Sequence, residues 1–288
     1  MQKTSTEAVL KKWKAHRETI LEWLKSHGYE TQAVEKPAFF TPRTQVMKEL
    51  KIACIMDPFT LGSYGPECRL LELTPEHWRE EVDAFEPDLL FIESAWQGKE
   101  GLWYRKIVHY SQELFELTGY LREKHVPIIF WNKEDPVYTD SFMTAASYAD
   151  VVFTTDIDCI GKYKAELGHD RVYHLHFAAQ PALHNPVEFY ARKDKFCFTG
   201  AYYHKYKERS QVFDRFAEKM IQGKGLDIYD RNYGHARPEH AFPWKYKPYI
   251  LGNLPADQID RAYKGYFYGV NLNSIQQSQS MFARRVFE

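Results

Sequence analysis

Cysteine is scarce in this chain, and long apolar runs are missing from it. The four cysteines, Cys54, Cys68, Cys159 and Cys197, lie far apart and form neither a CxxC pair nor a zinc-binding spacing. This spacing favours buried free thiols in a reducing compartment over a disulfide framework. No stretch approaches the roughly 20 apolar residues of a transmembrane helix, and the polar N-terminus is unlike a secretory signal peptide. We therefore expect a cytoplasmic protein without a transmembrane segment.

An excess of either charge is also missing. The 38 Lys and Arg residues nearly balance the 39 Asp and Glu residues, which argues against a nucleic-acid partner. The histidines lack HExxH or another metal-ligand spacing, so we expect neither a metal ion nor another cofactor. Aromatic residues, in contrast, are abundant, with 20 Tyr, 19 Phe and 7 Trp. These rings either fill the interfaces between a sheet and its helices or stack on sugars and bases.

Residues 1–45 are predicted to form an N-terminal helix followed by a linker. Apolar residues recur near a 3.6-residue period over residues 5–27, and Gly28 follows as a stop signal. Residues 31–44 contain two prolines and favour a linker. The helix carries Trp13 and Trp23, whose rings either pack inside the protein or contact a partner.

Beyond residue 45, short apolar runs alternate with helical patterns. Strands are predicted at residues 51–56, 88–93, 126–131, 151–154 and 171–175, and helices at residues 111–124, 139–148 and 156–167. Runs that are apolar throughout suit a parallel sheet covered on both faces. The alternation therefore predicts a doubly wound, Rossmann-like α/β domain over residues 46–180.

The alternation breaks at residues 177–193, which contain Pro181 and Pro186 and favour a connection between domains. It then resumes, with strands predicted at residues 195–198, 226–229, 249–251 and 268–271, helices at residues 208–221 and 256–263, and a last helix from about Ser280. We predict a second Rossmann-like domain over residues 181–288. No cap, glycine or proline ends the last helix before Glu288, so we expect this domain to be incomplete.

Candidate site residues in the first domain follow its strands, because ligands of open α/β sheets bind beyond the carboxyl ends of the strands. Residues 57–66 form either a glycine-containing loop that contacts a ligand through Phe59, Ser63 and Tyr64, or a plain turn. Trp96 follows the second predicted strand and either stacks on a sugar or covers the sheet edge.

The densest polar cluster of the first domain follows its third predicted strand. Here Glu134 or Asp135 could act as a general base or bind an acceptor hydroxyl. Alternatively, this cluster is a helix-entry turn in which a carboxylate caps the helix. Asp156 and Asp158 match a DxD metal motif formally, but we interpret Asp156 as a helix N-cap and Asp158 as a favourable charge in the first turn.

The second domain carries candidate residues for an anionic ligand. A glycine turn at Gly200 is followed by Tyr202, by basic residues that include Arg209, and by a helix, which is how proteins often meet a phosphate. The terminal segment adds amide and hydroxyl donors and then charged residues: Asn273, Ser278, Arg284, Arg285 and Glu288. Arginine suits a diphosphate, and a carboxylate suits a ribose diol, although Arg284 and Glu288 could merely pair along a helix.

Taken together, these segments resemble the GT-B glycosyltransferases, and within them the CgeB/YkvP-like spore-maturation group. The resemblance covers roughly residues 50–288 and is carried by residues 130–137, 153–156, 176–181, 198–203, 228–234, 252–255 and 278–288. It implies two Rossmann-like domains that face a cleft, with the acceptor on the first and the nucleotide-sugar donor on the second. In this resemblance Glu288 matches the ribose-binding carboxylate, Gly200 the turn near the donor phosphates, and Arg209 loosely matches a phosphate-binding residue.

The resemblance implies metal-independent transfer of a sugar from a nucleotide sugar, with UDP as the expected nucleotide. A glycan or polyol-phosphate acceptor would fit the synthesis of cell-surface polysaccharide, teichoic acid or spore polysaccharide. The chain departs from related families because it lacks the Glu-x7-Glu pattern and a clear counterpart of a catalytic histidine, so retaining and inverting chemistry stay open. Two alternatives remain: a nucleotide-sugar epimerase on the same fold, and a non-catalytic module that binds a sugar or a protein partner.

Overall fold

The chain folds into two compact units in the computed structural model, which describes residues 46–182, 184–185, 191–235, 238–255 and 258–286. The first unit ends at Ala182 and also includes Ser278–Ser280, and the second begins at Leu183 and contains the other residues that follow. The helix predicted at residues 5–27, the linker at residues 31–44 and Glu288 lie outside the described residues.

The first unit is built on a parallel sheet of six strands. These strands are β1 (Lys51–Ile55), β2 (Arg69–Glu72), β3 (Leu89–Glu93), β4 (Ile128–Asn132), β5 (Val151–Thr154) and β6 (Val172–His174). Their order in the sheet is β2-β1-β3-β4-β5-β6. The described helices of this unit are α1 (Pro58–Tyr64), α2 (Trp78–Phe85), α3 (Gln112–Glu123), α4 (Thr139–Ser147) and α5 (Ile160–Leu167). The order reverses at β1, as in doubly wound folds, so the loops after β1 and β3 leave the sheet at its switch point.

Both faces of this sheet are covered, which explains why its central strands are almost entirely apolar. Alternate residues of β1 enter different cores: Ile52 and Cys54 belong to one cluster, and Ala53 and Ile55 to a larger one. Successive side chains of a strand point to opposite faces, so a strand without polar alternation is the signature of a sheet that is buried on both sides. All five residues of β3 are buried, including its last residue, Glu93.

The second unit holds a parallel sheet of four strands. Its strands are β7 (Lys193–Gly200), β8 (Leu226–Asp230), β9 (Ile250–Gly252) and β10 (Tyr266–Val270), in the order β10-β7-β8-β9. The described helices are α6 (Lys207–Gln222) and the short α7 (Asp260–Lys264). Phe198 of β7, Phe213 of α6 and Tyr246 meet in an aromatic core. The predicted α/β class is therefore confirmed, with two parallel sheets.

Three elements of the first unit were not predicted from the sequence. Residues 57–66 were expected to be a loop or a turn, but Pro58 begins helix α1, at a position where a missing N–H is tolerated. The edge strand β2 and helix α2 were also missed. In the second unit, the helix predicted from about Ser280 was wrong, since only Arg284–Val286 form a single 3-10 turn. Among the residues that the structure describes, no helix has the length and apolar content to cross a membrane.

Candidate functional site

Three charged side chains meet at the carboxyl ends of β1, β3 and β4 in the first unit. Lys133 Nζ forms an ion pair with Asp57, and it lies 2.7 Å from Glu93 Oε1. The Phe59 ring covers this ammonium group, with the ring centroid 4.2 Å from Nζ. All three charged residues are buried. This cluster was not predicted from the sequence, although a glutamate that ends an otherwise apolar strand was the available signal.

Each carboxylate of this cluster also accepts hydrogen bonds that tie neighbouring loops together. Asp57 accepts from the backbone N–H groups of Trp96, Gln97 and Gly98 at 3.0–3.2 Å. Glu93 accepts from the Asp57 backbone N–H and from the Thr60 hydroxyl, both at 2.8 Å. Burial opposes ionisation of Asp57, yet Lys133 and the backbone N–H groups hold its pKa below the usual value. Burial raises the pKa of Glu93 despite the pairing with Lys133. The cluster is therefore a satisfied polar clamp between loops.

The four residues predicted to contact an acceptor are largely engaged in packing. Tyr64 packs on Phe91 and Trp131, with ring centroids 5.8 and 6.4 Å away. The hydroxyl of Ser63 donates to the Phe59 carbonyl one helical turn earlier, at 3.1 Å. The ring of Trp96 lies edge-on to the rings of Tyr138 and Phe142, at 5.2 and 5.4 Å. The Trp96 ring therefore packs against the larger core cluster of the first unit.

Asp135 lies at the centre of a buried hydrogen-bond network. Its Oδ1 accepts from Asn132, Thr139 and Tyr163, and its Oδ2 accepts from Thr154 at 2.5 Å. Burial raises the pKa of Asp135 to about 6, although these hydrogen bonds favour the ionised form. Glu134 is half-buried, and its backbone N–H donates to Asn132 Oδ1 at 3.0 Å. The two adjacent carboxylates thus have different environments: Asp135 is held by side chains of the fold, whereas Glu134 is only half-buried.

Asp156 caps the turn that precedes α5, as predicted. Its Oδ1 accepts from the Asp158 backbone N–H at 2.9 Å, and its Oδ2 accepts from the Ser278 hydroxyl at 2.5 Å. Asp158 accepts from the side chain of Gln279 at 2.7 Å. Ser278 was predicted to bind a donor with the second domain, whereas it belongs to the first unit. Within the described ranges, no group of three or more His, Cys, Asp or Glu residues could hold a metal ion.

The carboxyl end of β7 in the second unit brings together a glycine and an arginine that the sequence analysis selected. Arg285 donates from Nη1 to the carbonyl of Thr199 and lies beside Gly200. A Cβ atom on Gly200 would lie only 3.3 Å from this nitrogen and 3.2 Å from the Phe198 ring. Glycine is therefore the residue that leaves the guanidinium room to lie against the strand end.

A second guanidinium, that of Arg209 in the first turn of α6, is buried without a carboxylate partner among the described residues. It is 4% exposed, and it donates to the carbonyls of Ala201 at 3.3 Å and Leu272 at 3.4 Å. Burial lowers the pKa of Arg209 to about 10, and the positive charges of Arg285 and Arg231 act in the same direction. We call Arg209, Arg231 and Arg285 the arginine group.

The other predicted donor-side residues have different positions. Tyr202 is buried and donates from its hydroxyl to Asp214 at 3.2 Å, so it belongs to the core. Asn273 donates from Nδ2 to the Met281 carbonyl at 2.5 Å, and its buried Oδ1 has no hydrogen-bond partner among the described residues. Arg284 begins the single 3-10 turn of the terminal segment. The sequence analysis missed Arg231, because an arginine in an exposed turn carries no local signal of a site.

Comparison with known proteins adds no assignment to this geometry. A scan against protein-family models and a search of curated proteins both find no match to the chain. The function must therefore be inferred from the chemistry of the two carboxyl edges. The charged cluster at one edge is satisfied within the fold, whereas Arg209 at the other is buried without a carboxylate partner among the described residues.

Proposed function

We propose that this protein is a glycosyltransferase that binds the diphosphate of a nucleotide sugar at the arginine group, with a UDP-sugar as the expected donor. The observation that carries the proposal is the environment of Arg209. This guanidinium is buried, its hydrogen bonds go to two backbone carbonyls, and it lies over the rings of Phe198 and Tyr203. Burial and two neighbouring guanidinium groups lower its pKa. Burying a cation is costly unless an anion accompanies it, so the group calls for an anionic ligand.

The position of the arginine group favours a phosphate over other anions. It lies at the carboxyl end of a parallel strand and at the start of the 16-residue helix α6, where backbone N–H groups and the helix dipole attract phosphate. Guanidinium groups bind phosphate oxygens in pairs of parallel hydrogen bonds. In a transferase they would also stabilise the charge that develops on the leaving diphosphate when its bond to the sugar breaks.

The proposal includes the two-domain arrangement of GT-B enzymes, with the acceptor assigned to the first unit. A glycan or polyol phosphate of a cell-surface or spore polysaccharide is the proposed acceptor. Glu134 keeps its proposed role toward the acceptor hydroxyl. Asp135 is less suited to that role, because its two oxygens already accept hydrogen bonds from within the fold.

Ligand-observed NMR with UDP-, GDP-, CMP- and dTDP-sugars tests the proposal on the full chain. We expect one nucleotide class to bind, and we expect Arg285→Ala to weaken that binding at least tenfold, about the effect of one lost charged contact. Arg215→Ala, on the exposed face of α6, is the matched control and should bind as the unmodified protein does. Absence of binding by every nucleotide sugar, or equal binding by Arg285→Ala, would overturn the proposed donor site.

Turnover separates the glycosyltransferase from an epimerase. With the nucleotide sugar that binds, a transferase releases the free nucleoside diphosphate faster when its acceptor is present. An epimerase instead converts the sugar while it stays attached to the nucleotide and needs no acceptor. Conversion of the bound nucleotide sugar without nucleotide release would contradict the proposed reaction while leaving the arginine group as the binding site.

A further inference from the structure

An open cavity lies next to the arginine group in the second unit. It has a volume of about 240 Å³ and is located at the carboxyl end of β8. Asp230 at its base is paired in register with Gly200, and the backbone N–H of Arg231 donates to the Gly200 carbonyl at 2.9 Å. The cavity therefore begins next to Arg231 of the arginine group. A diphosphate bound to the arginines would not account for the acidic and aromatic residues that line the cavity.

Two exposed aromatic rings form part of this lining. Trp244 is 78% exposed and Tyr233 is 55% exposed. Trp78, Trp103 and Trp131, in contrast, are all buried in the first unit. Lys247 lies on the same 3-10 helix as Trp244, with its Nζ 4.2 Å from the centroid of the indole ring. Exposed aromatic rings around a cavity are typical of a ligand-binding site, because a bound ligand removes their apolar surface from water.

Asp230 gives the cavity a buried acceptor. The residue is 7% exposed, and its Oδ1 accepts one hydrogen bond, from the Asn232 backbone N–H at 2.9 Å. Among the described residues, no ion pair and no further side-chain hydrogen bond reaches this carboxylate. Burial raises its pKa above the usual value. The other oxygen, Oδ2, is not among the buried atoms that lack a hydrogen bond, so it keeps contact with solvent and is open to a donor that enters the cavity.

We infer that this cavity binds a sugar ring. A pyranose has an apolar face of C–H groups that can cover the rings of Trp244 or Tyr233, and it has neighbouring hydroxyls that can donate together to Asp230. A nucleoside is the competing ligand, because its base could stack on the same rings while its ribose diol donates to Asp230, so the test below includes UDP without a sugar.

Two sources carry this sugar chemistry. One is the sugar of the nucleotide sugar held at the arginine group, and this source rests on the proposed function. The other is a neutral glycan, which would bind without any nucleotide and does not depend on the proposed function.

Saturation-transfer NMR on the full chain distinguishes these sources. One arm uses the methyl pyranosides of glucose, galactose, mannose and N-acetylglucosamine, and the other compares UDP with the UDP-sugars of the same four. We expect binding of at least one glycoside, or tighter binding of one UDP-sugar than of UDP. Trp244→Ala and Asp230→Asn should each weaken glycoside binding at least tenfold, or remove the preference for that UDP-sugar over UDP. Trp244→Tyr, which keeps a ring, should retain most of the glycoside affinity or of that preference.

Matched controls come from the same unit. Phe216→Ala removes an exposed ring from α6, and Asp194→Asn removes an exposed carboxylate, and both should leave sugar binding unchanged. Thermal unfolding of each variant shows that it is folded.

Three results would overturn the inference: no sugar-dependent binding in either arm, sugar binding that survives both Trp244→Ala and Asp230→Asn, or loss of UDP itself in Trp244→Ala. The last would mark a nucleobase site. If no nucleotide binds the unmodified chain, the proposed function fails, and the glycoside arm still decides whether the cavity takes a sugar.

Discussion

Buried cations at the carboxyl edges of the two sheets have different partners. In the first unit, Lys133 lies between Asp57 and Glu93, and each carboxylate also accepts hydrogen bonds from loop atoms. In the second unit, Arg209 is buried to a similar degree, but its hydrogen bonds go to two carbonyls, it lies over two aromatic rings, and two further guanidinium groups lie near it. The first edge is complete within the fold, whereas Arg209 at the second edge has no carboxylate partner among the described residues.

This difference separates a structural cluster from a candidate binding site. A buried charged side chain within a dense polar group could belong to a structural cluster or to a binding site, and its residue type alone does not distinguish the two. The distinction comes from counting partners, because a buried charge stabilises a fold only when the fold supplies its counter-charge and hydrogen bonds. By that criterion the cluster in the first unit is a clamp, and Arg209 of the arginine group is the buried charge for which we propose a ligand.

Removal of Lys133 should give the largest effect on folding. Lys133→Met leaves Asp57 and Glu93 buried together without a cation, so we expect the free energy of unfolding at pH 7 to fall by roughly 3–5 kcal/mol. Urea unfolding measures this loss. Lys162→Met, which removes an exposed ion pair to Asp140, should change it by less than about 1 kcal/mol. A loss as small as that control in Lys133→Met would mean that the first edge is not a clamp.

The pH dependence of stability should reveal the buried Asp135. Burial raises its pKa to about 6, so between about pH 4 and pH 6 the folded state binds more protons than the unfolded state. Stability from this group is therefore present at low pH and lost as the pH rises through the folded pKa, by roughly 3 kcal/mol in total. Asp135→Asn should remove this contribution to the pH dependence of the free energy of unfolding, whether the variant is more or less stable than the unmodified protein.

Urea unfolding across pH 4–7 measures the slope for both proteins. The exposed Asp140→Asn variant should keep the slope of the unmodified chain. An identical slope in Asp135→Asn would show that this carboxyl does not hold a proton in the folded network.

The second edge should respond to charge removal in the opposite direction from the first. Arg209→Met replaces a buried cation that lacks a carboxylate partner with an apolar side chain of similar length. In the absence of ligand we expect the free energy of unfolding to stay the same or to rise by about 1 kcal/mol. Chemical unfolding with Arg215→Met as the exposed control tests this sign. A loss of several kcal/mol would place Arg209 among the structural charges and remove the contrast between the two edges.

A subtler change tests the geometry of the arginine group. The methyl group of Gly200→Ala would lie 3.3 Å from Arg285 Nη1 and 3.2 Å from the Phe198 ring. We expect a several-fold loss of nucleotide-sugar affinity, together with a loss of stability of about 1–3 kcal/mol, because Gly200 has a φ of +157° that L residues rarely adopt. Gly269→Ala in β10, where a Cβ would meet no atom within 4 Å, is the matched control. Equal affinities for the two variants would show that the space beside Gly200 does not matter for binding.

The strands and helices of this fold were predicted from the sequence better than the contacts between its charged residues. Apolar runs identified β3 and β4, because a sheet covered on both faces imposes a pattern that is visible locally. The edge strand β2 was missed because it is half-exposed and contains no apolar run. Helix α1 was missed because its glycine and serine are typical of a loop, whereas tertiary packing decides the outcome in so short a segment.

The candidate site was predicted only where residue type was informative. Gly200 and Arg285 were selected because a glycine turn and an arginine suit a phosphate, and the structure places them in contact. The pairing of Lys133 with Glu93 joins residues 40 positions apart in the chain, and no local pattern encodes it. Ser278 shows the same limit, since the sequence could not tell which of the two units this loop residue would join.

The most direct test of the contrast is a titration of the full chain with inorganic pyrophosphate and with UDP, followed by phosphorus NMR. The account predicts saturable shifts of the phosphorus resonances with the unmodified protein, and the loss of these shifts in Arg209→Met and Arg285→Ala but not in Lys133→Met at a temperature where it is folded. Absence of any shift at millimolar ligand, or unchanged binding by both arginine variants, would contradict the claim that the second edge is an incomplete site that awaits an anion.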